Sequence, residues 1–358
     1  MTLVLFGLEP AMAQQSSSAY GPLPVFELHS GFWINLHHTL YYEAKLRENP
    51  AASSEKAGPG TPIKLKTMRD PGLALSPAER QAWDSSVAYY LANYANKDLL
   101  FNTDLMLLKN QLGDFEDCDE LSGKRKKTCD GGLPSRLTEV LEAAAPVYRA
   151  HLWADHDRAN RRWVARVAPL VEEQGVGISE RLADIYQTKW PREKIRVDVT
   201  AYANSAGAYT TLDPLRVTIS STDARNQGDE ALEVLFHEAS HGIAEPVETA
   251  IVRECRQRGK AIPRDLWHAL IFYTTGEVVK PLLNAGRKDP QDKKDGGNAS
   301  VTSAAAAAHE VYTPYAVRQG LYERGWKDYL QLLTGFWQPY LDNKSTFDDA
   351  IARMVSAL

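Results

Sequence analysis

The sequence contains no run of 18 or more apolar residues, which excludes an ordinary membrane-spanning helix. It has no strong excess of either charge. The formal net charge of −5 gives no sign of a nucleic-acid partner. It has only three cysteines and no Cys-x-x-Cys, so neither a disulfide-dense scaffold nor a thiolate metal site fits. No internal repeat is present, which excludes solenoids and propellers. What remains is ordinary for a globular protein: 44% hydrophobic and 24% charged residues, in a chain of 358 residues that can bury one large core or two smaller ones.

The N-terminus carries an address. Met1–Leu8 is a short apolar run, and Ala11-Met12-Ala13 followed by Gln14 fits a small-x-small cleavage site. Against this, the run is short, no Lys or Arg precedes it and Glu9 lies between it and the cleavage site, as in a disordered tail; a start placed too far downstream would account for a clipped signal. Residues 1–13 are therefore expected to be a truncated signal peptide, and the protein to be exported to the periplasm or the extracellular space. Cys118 and Cys129 bracket a polar loop and could pair in an oxidising compartment; Cys255 reads as a small buried residue.

Two regions follow. Residues 14–190 read as a helical N-terminal region. Residues 14–28 are rich in Ser, Gly and Pro and should be loose. Phe32, Trp33, Leu36, Leu40 and Tyr41 recur at helical spacing. Ser76-Pro77-Ala78-Glu79 is a capping box with proline at the first helical position, opening a helix to about Asn96. Further helices are expected near 98–112 and from Pro134 onward, with Pro146 dividing the latter in two. His29, His37 and His38 read as interface histidines. Asp155, His156 and Asp157 point in different directions around a helix and read as a solvated or salt-bridged face.

Residues 191–358 have a different rhythm. Lys194–Ala201 alternates apolar and polar, Ala208–Thr211 is short and β-prone, and Leu215–Ser221 is a third strand. The small sheet leads directly into Asp229–Ile243, within which lies His237-Glu238-Ala239-Ser240-His241. Positions 237 and 241 are one helical turn apart, so both imidazoles leave one face, while Leu232, Leu235, Phe236, Ala239 and Ile243 form an apolar stripe. In a His-Glu-x-x-His helix two histidines bind Zn2+ and the glutamate acts on the zinc-bound water.

A catalytic zinc needs a third protein ligand. The candidates are Glu245, Glu248, Glu254, Asp265, His268, Glu277 and Glu310. Glu277 is chosen because it interrupts an apolar helix, Leu266–Glu277, where a carboxylate is costly without a positive partner. Glu238 is assigned as general base. Tyr312, Tyr315 and His309, downstream of Glu277, are candidate donors to a tetrahedral oxyanion. The edge of the sheet near Ala208–Thr211 could bind an extended peptide by strand addition.

Residues 194–280 resemble the gluzincin metallopeptidases, the group that includes thermolysin-like enzymes and zinc aminopeptidases. The resemblance implies an α+β, mostly helical fold with a zincin-like catalytic core, and a site in which His237, His241 and Glu277 hold zinc and Glu238 is the catalytic carboxylate. Gly276 stands where that group often has Asn. No Gly-x-Met-Glu-Asn lies upstream, which argues against aminopeptidase activity. The function expected is that of a zinc metallopeptidase acting on peptide or protein substrates. Two alternatives stay open: a zinc amidase or esterase acting on other substrates, and a helical binding protein with a vestigial motif.

Overall fold

The computed structural model describes residues 25–49, 65–70, 72–122, 132–285 and 311–358. The expected signal segment 1–13, Cys129, His309 and Glu310 lie outside them. Among the described residues the chain is mostly helical with one four-stranded mixed sheet, an α+β arrangement. No described helix is long and apolar enough to cross a membrane. Cys118 is disulfide-bonded and Cys255 is free and buried.

The three strands read from the sequence are present: β2 (Ile195–Thr200), β3 (Ala208–Leu212) and β4 (Leu215–Ser220). A fourth, β1 (Phe26–His29), lies where a loose segment was expected. Four residues offer only one alternating apolar pair, Phe26 and Leu28, too little for a period to declare itself. The order across the sheet is β1-β2-β4-β3. β1, β2 and β4 run parallel, with Phe26 opposite Ile195 and Val197 opposite Val217, and β3 is an antiparallel edge strand with Ala208 opposite Ile219.

The alternation along these strands sends two chemistries to two faces. Ile195, Val197, Val199, Val217, Ile219 and Ala208 join an apolar core built from the C-terminal half. That core includes the later part of α5 (Ala154–Ile185), the motif helix α6 (Asp229–Ser240), α7 (Glu245–Gln257), α8 (Leu266–Asn284) and the C-terminal α9 (Phe347–Ala357). The opposite face carries Arg196, Asp198, Thr218, Tyr209 and Thr211, and meets the N-terminal helices through polar contacts. These helices are α1 (Phe32–Glu48), α2 (Pro77–Asn93), α3 (Thr103–Asp114) and α4 (Ser135–Tyr148), packed around a second core.

The polar seam explains the N-terminal histidines. His38 bonds the Tyr209 hydroxyl through Nε2 at 2.9 Å and the Ile34 carbonyl through Nδ1 at 2.8 Å. His37 meets Tyr90 at 2.9 Å, and His29 meets Glu116 at 2.7 Å. Lys109, buried, donates to Thr211 Oγ1 at 3.0 Å. Asp155 and Asp157 are salt-bridged as expected, to Lys66 and Arg158 and to Arg161, but His156 between them is not on a solvated face: it is buried against the Tyr148 hydroxyl.

The capping box of α2 forms in full, Glu79 N–H donating to Ser76 Oγ and Ser76 N–H to Glu79 Oε2. Pro146 does not divide a helix. It sits inside α4, and the chain continues through a wide turn, Arg149–Trp153, into α5. The extra residue of that turn absorbs the lost backbone bond and steric conflict that proline brings.

At Gly276 on α8 an added Cβ would stand 2.7 Å from Pro314 Cβ and 3.1 Å from Glu233 Oε1. A proline ring cannot swing aside, so Gly276→Ala is expected to destabilise the protein by about 1–3 kcal/mol, more than the ~1 kcal/mol alanine adds in helix propensity. The urea unfolding midpoint checks this; an unchanged or raised midpoint would contradict the packing described.

Candidate metal centre

The site is built on α6. Gly228, at φ +58°, turns the chain into it in a conformation that glycine adopts without strain. Asp229 and Glu230 then occupy the first turn, where negative charge suits the helix dipole. Every residue from Glu230 to Ser240 is buried. Ala231, Leu232, Leu235, Phe236 and Ala239 supply the apolar contacts, so the stripe read from the sequence is the one that packs. His241 still has helical dihedrals (φ −56°, ψ −32°) although the regular helix ends at Ser240, so His237 and His241 share a face.

A third histidine meets them. His268, in the first turn of α8, brings its Nε2 to 3.3 Å from His237 Nε2. One ligand atom each from His237, His241 and His268 lies within 4.8 Å of the other two, and among the described residues no other group of three His, Cys, Asp or Glu ligands is so placed. Burial holds all three imidazoles uncharged at neutral pH: His237 is pushed well below its usual range, His241 down to about 3 and His268 down to about 4. Neutral imidazoles are the form that binds metals. His237 Nδ1 is buried without a partner in the protein.

Aromatic rings wall the cluster. Phe272, one turn beyond His268, stacks on His237 with ring centroids 3.4 Å apart. Trp267 stands edge-on to His241 at 5.5 Å and Trp326 edge-on to His268 at 5.4 Å. Tyr315 stacks on Phe272 at 5.8 Å.

Glu238 is buried beside this group, and Thr210 on β3 reaches it. Thr210 Oγ1 lies 2.7 Å from Glu238 Oε2 and 2.8 Å from the Glu238 carbonyl oxygen. Burial pushes the Glu238 carboxyl up to about 7, against the Thr210 hydrogen bond that lowers it. Thr210 carries no motif signal; the alternation of β3, with Tyr209 and Thr211 turned to the other face, is what could have pointed to it.

Glu277, the expected third ligand, is not in the group. It lies nine residues beyond His268 on the same helix, roughly half a turn around it. It is 26% exposed and sits 3.5 Å from Lys280 Nζ. An apolar helix therefore presents this carboxylate to the surface and a lysine, while its first turn faces α6. Glu245, Glu248, Glu254 and Asp265 are outside the group too, Glu254 pairing with Arg258.

Tyr312 and Tyr315 serve another buried carboxylate. Glu233, one turn before His237, accepts from the Tyr312 hydroxyl at 2.5 Å and from the Tyr315 backbone N–H at 3.0 Å. The Tyr312 hydroxyl is thereby committed to Glu233. The Tyr315 ring faces the histidines through Phe272. Its hydroxyl, pushed up to about 12 chiefly by burial, stays protonated at neutral pH.

No protein-family model, curated protein or solved structure matches the chain. The reading of the site thus rests on its own geometry.

Two outcomes follow. If the three histidines hold a metal, then after incubation with zinc and desalting His268→Ala should retain none, whereas Glu277→Ala should retain one ion per chain; plasma emission analysis of both reads the result, and zinc retained by His268→Ala alone would exclude His268 as a ligand. The second concerns Glu233, whose carboxyl burial pushes up to about 7. A carboxyl raised on folding stabilises fully below its unfolded range near 4.5 and loses that contribution as pH rises to the folded value. The Glu233 contribution should therefore fall between about pH 4.5 and 7, by up to about 3 kcal/mol, and Glu233→Gln should lack that part of the pH dependence. Urea unfolding of both proteins at pH 5 and 8 measures the difference.

Proposed function

We propose that the protein is a zinc-dependent hydrolase cleaving peptide bonds, with His237, His241 and His268 holding the metal and Glu238 as general base. The observation that carries this reading is the convergence of three neutral imidazoles on one point, with a buried carboxylate on the adjacent residue of the same helix. Three imidazoles suit zinc among the available divalent ions and leave a coordination position open. The ion, when bound, supplies Lewis acidity, drawing the pKa of a water towards neutrality and polarising a carbonyl.

The chain's own residues do the rest. Thr210 fixes Glu238 Oε2, so Oε1 is the oxygen that takes the proton from the attacking water. The water oxygen bonds to the carbonyl carbon, the C–N bond breaks, and Glu238 returns the proton to the leaving amine. A carboxyl whose burial lifts it towards neutrality is matched to carrying a proton in both directions. The Tyr315 hydroxyl, protonated at the working pH, is the candidate donor to the oxyanion.

The sheet supplies a peptide platform. The Gly207 carbonyl accepts from Ser220 N–H at 2.8 Å. With the register of β3 against β4, this directs the backbone groups of Tyr209 and Thr211 inward. Those of Ala208, Thr210 and Leu212 point to the open edge, on either side of the position that holds Glu238. An extended peptide added there would lie alongside Glu238. This favours a peptide over a small amide or ester. The zincin-like architecture and export remain parts of the same proposal: the antiparallel edge strand ahead of the motif helix favours the first, and the Ala11-Met12-Ala13 pattern favours the second.

Glu238→Gln should keep its zinc and its unfolding midpoint and lose peptide hydrolysis by about 10²-fold or more. Hydrolysis of a proteome-derived peptide library at the parental rate by Glu238→Gln would remove the assigned mechanism.

A further inference from the structure

Beside Tyr315 a cavity of about 430 Å³ opens, and its lining includes Arg225, Arg318 and Arg324. We infer that this cavity is a substrate subsite that takes a carboxylate, on the C-terminal side of the bond cleaved. The inference rests on the peptidase reading and adds a substrate class to it.

Three guanidinium groups line this one cavity. Arg225 is held from behind by Asp223, with Nη2 at 2.6 Å from Oδ2, and by the Ser205 carbonyl at 2.8 Å. Arg318 Nε lies 2.8 Å from Glu230 Oε1, on the first turn of α6. Arg324 donates to the Gly320 and Gln319 carbonyls at 3.2 and 2.7 Å. Each fork is thus fixed on one side, which leaves further N–H groups for a ligand and reduces the ordering cost of binding one. Glu323 also lines the cavity, so its charged lining is three cations to one anion. Arginine forks match carboxylates and phosphates in planar, bidentate geometry, and of these a peptide carries the carboxylate.

Two stacked rings stand between the cavity and the candidate metal centre. Tyr315 lines the cavity, and its ring stacks on Phe272, which stacks on His237. The Tyr315 hydroxyl lies within electrostatic reach of both Arg225 and Glu238. The strand edge gives the direction. A Cβ at Gly207, just before β3, would stand 2.7 Å from Asp223 Oδ2 and 3.2 Å from the Arg225 Nη2 that Asp223 holds, whereas Thr210 holds Glu238. Arg225 therefore marks the end of the platform about three residues, or roughly 10 Å, from the reacting position. A peptide added antiparallel to β3, the slightly more stable pairing, enters at Leu212 and runs towards Gly207. Its C-terminal side then reaches the arginines. The carboxylate can be an Asp or Glu side chain or a free C-terminus.

The test digests a proteome-derived peptide library with the zinc-loaded protein and reads cut sites by mass spectrometry. Cuts should be enriched for Asp, Glu or a chain end within two to four residues on the C-terminal side. Matched synthetic peptides around the strongest site, Glu against Gln and C-terminal acid against carboxamide, separate the two sources. The favoured member should have kcat/KM higher by at least about tenfold. In Arg324→Gln, chosen because its guanidinium binds carbonyls rather than a buried acid, that ratio should fall towards one. In the parent, 1 M salt should lower the same ratio, a readout that needs no variant. Cleavage without acidic preference, preference only on the N-terminal side, or a ratio unmoved in Arg324→Gln and in salt would overturn the subsite and leave the hydrolase standing. A library left uncut by the zinc-loaded protein would overturn the peptidase reading and the subsite with it.

Discussion

The structure depends on a helix that is buried along nearly its whole length while carrying ionisable groups on several sides. α6 has Glu230, Glu233, His237 and Glu238 within nine residues, all buried. Buried polar groups must find partners, and a single helix cannot supply them. They are met from different segments: Glu230 by Arg318, Glu233 by Tyr312 and the Tyr315 backbone, His237 by His268 at Nε2 alone, and Glu238 by Thr210. The edge strand, α8 and the segment 312–318 are thereby drawn to one helix. The demand for partners along α6 is what assembles the site.

That demand also shows why the site was only partly legible in the sequence. The spacing of His237 and His241 and the apolar stripe of α6 are local properties, and they read correctly. The third imidazole is not local. α8 is apolar nearly all round, so its sequence does not say which side meets α6, and a carboxylate in such a helix draws more notice than a histidine at its start. Yet Glu277 lies on the side that reaches Lys280 and solvent, while His268 lies on the side that reaches His237. Thr210 was passed over for the same reason: the alternation of β3 gives its face, but a threonine in a strand is ordinary until the helix beneath it is known.

The fold was legible where periodicity ran long enough. β2, β4 and the capped α2 were marked by alternation or by a capping box, and all three formed. β1 was missed because four residues carry no period, and Pro146 misled because a wide turn can take up what proline removes. The two-sided character of the sheet was hidden as well. Its polar face looks exposed in a strand pattern, but it is covered by α1 and α3 through His38–Tyr209 and Lys109–Thr211.

β1 has one more consequence. It belongs to the first part of the chain, yet it pairs in parallel with β2, and among the described residues five α-helices intervene between them. Parallel partners so distant along the chain close a large loop, and such closure slows folding more than it affects final stability. The apolar face that receives α6 is therefore completed late. Until both ends of the chain have been made and brought together, the histidines of α6 have no finished wall behind them, and assembly of the C-terminal half waits on the N-terminal one.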